Sequence, residues 1–161
     1  MWGSLDLVAS ARIRLAQHAL TEPRLVASGQ ILDGSPPIWK GSIALTGAEQ
    51  ARRVVDSLHA AGADFVKVYD LLPREVYTAI VAEGKQLHMP VVGHVPVTVG
   101  ALAASEAGQR SIEHLTDLLR SCSTHEMALR AALVSAFEKP RDSLWALGRR
   151  QQAEDGHSRE R

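Results

Sequence analysis

One pattern limits what this chain can become: four short runs rich in apolar and β-branched residues recur along it, each separated from the next by a stretch of helical periodicity. The runs are RLVASGQIL (24–32), ADFVKVY (63–69), VVGHV (91–95) and SIEHL (111–115). Between them, Ala51, Val54, Val55 and Leu58 repeat at helical spacing up to Ala61-Gly62. After Pro73, the residues Val76, Ile80, Val81 and Leu87 share one face up to Met89-Pro90. Thr46 with Glu49 reads as a capping box, Thr98 as the cap of a small-residue helix through Ala107, and Gly108 as its stop. Strands that alternate with helices in this way are joined by right-handed crossovers and lie parallel. The predicted class is therefore α/β, with about four parallel strands.

The flanks read differently. A helix is expected over 4–20, with Ser4 as its cap, and the turn-rich DGSPP at 33–37 follows the first strand. Beyond the last strand, 124–137 and 142–152 read as two helices broken at Lys139-Pro140, and 154–161 as a charged, exposed tail. The expected organisation is an α/β body over 1–120, a helical extension over 121–153 and the tail. With 161 residues, 45% of them hydrophobic, there is material for the core of one ordinary domain. Eighteen basic residues balance eighteen acidic ones, which argues against a nucleic-acid partner or an acidic membrane face. No apolar run approaches the ~20 residues of a membrane helix, and the start carries no secretory leader. The lone Cys122 fits a reducing compartment, so a cytoplasmic protein is expected.

The chemistry gathers on three positions. Lys67, His94 and His114 each lie near the carboxyl end of a predicted strand, 27 and 20 residues apart, about what one helix and one strand consume. Parallel α/β sheets build their sites along that edge. Two imidazoles meeting there suit zinc or a similar divalent ion. An ammonium in an apolar strand is costly, so Lys67 should be paired, neutral or modified; an ion pair with Asp64, Asp70 or Glu113 is the plain alternative to a metal role. Tyr69 shares a face with Lys67 by period-two alternation. By the same alternation Glu113, next to His114, is expected to face the helices as a structural residue. Cys122 reads as an inert thiol, and the glycines form no phosphate-binding loop.

Together, GADFVKVY, VVGHVP and SIEHL resemble the metal-dependent amidohydrolase superfamily, in its imidazolonepropionase-like and Xaa-Pro-dipeptidase-like branch, with RLVASGQIL resembling the preceding barrel strand. The likeness runs from about residue 4 to 117. It implies a partial TIM (β/α)8 barrel, about four of eight strands, followed by the helical C-terminal segment. It further implies that Lys67 is carboxylated by CO₂ to a carbamate bridging two metals, that His94 and His114 bind the second ion, and that Tyr69 orients a substrate carboxylate. The implied activity is hydrolysis of a C–N bond in a small-molecule amide or peptide, such as an Xaa-Pro dipeptide or a cyclic amide. The family also uses a His-x-His pair on its first barrel strand and an Asp on its eighth. This sequence presents neither, and a full barrel takes ~250 residues. It reads as an internal fragment whose turnover alone is in question. The alternative is a non-catalytic half-barrel that dimerises or pairs with a complementary fragment through its unpaired edges.

Overall fold

The computed structural model of the chain describes residues 3–17 and 24–137. The helix expected over 142–152 and the tail over 154–161 lie outside the described residues. The chain divides into two units, Met1–Cys122 and Ser123–Arg161. The first contains α1 (Leu5–Gln17), β1 (Leu32–Asp33), β2 (Ile43–Ala44), α2 (Ala48–Ala60), β3 (Val66–Val68), α3 (Arg74–Gln86), β4 (Val91–Gly93), α4 (Ala101–Ala107), β5 (Ser111–Ile112) and α5 (Leu118–Ser121). The second contains α6 (Glu126–Phe137), within the span expected for it.

The five strands are parallel and lie in the order β2-β1-β3-β4-β5. The α/β class and partial-barrel architecture hold, with five strands where the sequence suggests four. The extra strand, β2, is two residues long and carries no periodicity to read. Ile43 and Leu45 donate their amides to Ile31 and Asp33 carbonyls at 2.8 Å, which lays β2 beside β1. The apolar run over 24–32 becomes strand only at its end. Upstream it stays extended, with the Ala27 carbonyl accepting from the Asp64 amide at 2.8 Å.

One face of the sheet makes the core. Leu32, Leu45, Val66, Val68 and Val91 pack against Ala51, Val55 and Leu58 of α2 and Val76, Tyr77 and Ile80 of α3. Each fully buried aliphatic side chain of this kind contributes ~1.5–3 kcal/mol, so this layer outweighs any single cap. The caps differ from expectation. Gly47, not Thr46, precedes α2 without a side-chain cap, and the Gln50 side chain accepts from the Thr46 amide at 3.1 Å, while Glu49 pairs with Arg52. Gly100 precedes α4, because Thr98 spends its hydroxyl on the Leu72 carbonyl at 2.8 Å. Gly108 ends α4 in the left-handed conformation, as expected. Arg12 of α1 reaches Asp64 at 2.5 Å and the Leu25 carbonyl at 2.8 Å, tying that helix to the turn before β3.

At one position the backbone itself is constrained. Gly93 has φ +121°, and a Cβ there would lie 2.3 Å from the Val68 carbonyl oxygen. Only glycine lets β4 approach β3 this closely.

Candidate functional site

Strand register places the site. Lys67 pairs with Val92, Val92 with Ser111, and Leu32 with Val68. Paired residues point to the same face and alternate along each strand. Lys67, Val92 and Ser111 therefore turn away from the core layer of Val66 and Val68. The next row on that face, at the carboxyl ends of the strands, is Asp33, Tyr69, His94 and Glu113. This corrects the expectation that Glu113 faces the helices. It shares a face with Lys67 and His94, and its Oε2 lies 2.7 Å from Lys67 Nζ.

If β5 continued, His114 would point the other way. Instead β5 stops at Ile112, and His114 (φ +56°) and Leu115 (φ +54°) take left-handed backbone in a 3-10 turn. The turn carries the His114 ring back to His94, where the two rings meet edge to face with centroids 5.4 Å apart. Asp117, also left-handed at φ +71°, anchors the far side by accepting the Ala101 amide at 2.8 Å. His94, Glu113 and His114 thus present one ligand atom each, all within 4.8 Å of one another. Among the described residues, this is where three or more such groups converge.

The three carboxylates weighed as partners for Lys67 take separate roles. Asp64 is bound to Arg12, and Asp70 to His94, whose Nδ1 lies 3.0 Å from Asp70 Oδ1. Only Glu113 pairs with the lysine. A carboxylate accepts but does not donate, so His94 Nδ1 carries the proton and Nε2 keeps its lone pair for a ligand. His94 is buried and stacked on Tyr69, with ring centroids 4.1 Å apart and planes 27° from parallel. Asp70 and the stacked ring therefore fix the imidazole in both tautomer and orientation.

Tyr69 accepts a hydrogen bond from Trp39 Nε1 at 2.7 Å, which leaves its own O–H to donate elsewhere. Burial pushes the phenol above its ordinary pKa; the Trp39 bond opposes this, while Asp70, Asp33 and Glu113 add to it. Asp33, fully buried, accepts three backbone amides: Gly34 at 2.9 Å, Leu71 at 2.8 Å and Ile38 at 2.9 Å. Burial raises its carboxyl above the usual range against the pull of those three donors. It braces the loops around the site.

The sequence-predicted Lys67, His94, His114 and Tyr69 thus meet at one sheet edge. Glu113 joins them as the Lys67 partner that the sequence offered, Asp70 joins as the partner of His94 and not of Lys67, and Trp39 joins without having been singled out. The donor set of two imidazoles and a carboxylate suits a divalent ion such as zinc.

No family model matches the chain. No curated protein matches it either. Among solved structures, the chain is similar to the bottromycin amidohydrolase, with a TM-score of 0.60 and 33% identity over 68% of this chain and 24% of that one. A second amidohydrolase shares the fold at a TM-score of 0.50 and 20% identity, over 66% of this chain and 34% of the other. The chain therefore spans about a quarter to a third of the length of these relatives. The family likeness read from the three strand motifs agrees with the bottromycin amidohydrolase, and the partial coverage of both neighbours agrees with a chain that corresponds to part of their fold.

Proposed function

We propose that this chain forms the metal-binding edge of a hydrolase that cleaves an amide-type C–N bond. The observation that carries the reading is the meeting of His94, His114 and Lys67 at the carboxyl ends of β3, β4 and β5, in a chain similar to an amidohydrolase. His94 and His114 would hold a divalent ion, zinc by ligand preference, through ring nitrogens that Asp70 and the left-handed turn orient. Bound there, such an ion would polarise the amide carbonyl and lower the pKa of water. Lys67 would react with CO₂, its amine nitrogen forming the new N–C bond and releasing a proton, to give an anionic carbamate beside the histidines. Tyr69, still protonated and with its donor proton free of Trp39, would direct that proton to a substrate carboxylate.

The substrate proposed is an Xaa-Pro or other dipeptide, or a cyclic amide, as the resemblance implies. In the family that the sequence resembles, further ligands come from a His-x-His pair and an Asp on other barrel strands, so this chain supplies only part of that ligand set. A second reading has its own support. Leu102, Leu115 and Leu119 are exposed at 71%, 69% and 90%. They accompany a sheet that ends on β2 and β5, so a non-catalytic half-barrel that pairs with a second copy is the alternative.

The test is hydrolysis of dipeptide and cyclic-amide panels by the purified full chain with added zinc and bicarbonate, read alongside native mass spectra. Turnover or ion binding that disappears in His94→Ala and His114→Ala supports the hydrolase reading. A chain that binds no ion, carries no CO₂ adduct and runs as a dimer supports the half-barrel instead.

A further inference from the structure

The carbamate is one way to place negative charge beside the two histidines, and the fold already places another there. We infer that His94, Glu113 and His114 form a one-ion site that fills before, and without, carboxylation of Lys67. The inference rests on the proposed reading of this sheet edge as a metal centre and concerns how that centre is loaded.

Three observations support it. First, Glu113 directly follows the last β4–β5 pair, Gly93–Ile112, and its Oε2 is held 2.7 Å from Lys67 Nζ on the neighbouring strand β3. Second, the ligand atoms of all three residues lie within 4.8 Å of one another, so that a small closing movement of these side chains would let one ion reach each of them. Two imidazoles and one carboxylate form a set that holds a first-row divalent ion and leaves coordination positions open. Third, His114 and Leu115 occupy left-handed backbone although neither is buried. A strained turn that core packing does not repay, and that aims an imidazole at a second one, is where a bound ligand is expected to repay it.

The Lys67–Glu113 ion pair fits this order of events. A carboxylate has two oxygens and about four lone-pair sites, so the contact from Lys67 Nζ to Oε2 leaves capacity for an ion. Lys67 then acts as a positioning residue. It holds Glu113 toward the histidines while its own nitrogen remains an unmodified ammonium.

The experiment titrates the full chain, stripped with chelator, with cobalt(II) in CO₂-free buffer and in bicarbonate. It is read by the visible cobalt spectrum and by native mass spectrometry. The expected result is one cobalt ion per chain in both buffers, with no CO₂ adduct in the first, and at least a ~10-fold weaker titration in Glu113→Gln. That variant keeps the shape of the side chain, and circular dichroism checks that it folds. If cobalt binds only in bicarbonate together with the adduct, or binds Glu113→Gln as tightly as the unaltered chain, the one-ion inference is overturned while the metal centre stands. If cobalt binds in neither buffer, both readings fall.

Discussion

At the scale of single residues, the site depends on groups that never touch a ligand. Asp70 fixes the tautomer of His94, and a carboxylate in that role is worth one to two orders of magnitude in metal affinity. Asp70→Ala is expected to weaken cobalt binding ~10–100-fold in a spectroscopic titration, with circular dichroism unchanged. Tyr77 tests a different balance. Burial pushes its phenol up to about 12, and its hydroxyl donates to Gln109 Oε1 at 2.8 Å. The unfolded chain gives up that proton near pH 10, so between pH 10 and 12 the folded state binds more protons than the unfolded one. Stability is therefore full below pH 10 and falls as pH rises through this window, by ~2–3 kcal/mol from this group. Denaturant melts from pH 9 to 12 should show the decline, and Tyr77→Phe should flatten it while losing the Gln109 hydrogen bond. What the sequence made legible at this scale was the residue types that carry chemistry: Lys67, His94, His114 and Tyr69 stood out as polar groups in apolar runs. Asp70 was weighed only as a partner for Lys67, and its role beside His94 was not legible, because a carboxylate just past a strand looks like any turn residue until its neighbour in space is known.

At the scale of elements, the error over Glu113 shows where a sequence falls silent. Alternation within one strand says which residues share a face, but not which face the adjacent strand shows at a given level. That depends on register, which is fixed by the Val92–Ser111 and Gly93–Ile112 pairings. The spacing from His94 to His114 suggested that both histidines lie at one edge of the sheet. They do meet, but through a left-handed turn that no period-two pattern encodes. The helices were easier: α2 and α3 each show a clear apolar stripe, whereas their first residues depend on local hydrogen bonds such as Gln50 to Thr46. Register also makes Gly93 a test of the architecture. Gly93→Ala would push a methyl into the Val68 carbonyl and strain a positive φ. A loss of at least ~2 kcal/mol in denaturant unfolding is expected, along with a disturbed cobalt spectrum, since the next residue is His94. A fully stable variant would mean that β3 and β4 can separate without harm.

At the scale of the whole molecule, the alternation of runs was enough to give the class and the parallel sheet, because each strand and its helix is a local pattern, while the partial barrel rested on the family resemblance of the three strand motifs. It did not give β2, whose two residues are strand only because β1 lies beside them. Nor did it show which surfaces are left uncovered. With Leu119 90% exposed in the same unit as the outer strand β5, self-association is expected at micromolar concentration. Sedimentation velocity should show a species larger than the monomer, and Leu119→Lys should shift it toward the monomer. If both chains sediment as monomers, this apolar face has no part in association. The Asp33 carboxylate carries a final consequence, in time rather than in space. It accepts the amides of Gly34, Ile38 and Leu71, two of them after β1 and one after β3. All three protons are thus shielded by one buried group. In a hydrogen-exchange experiment they should trade for deuterium in step, as a single slow clock shared by two loops distant in the chain.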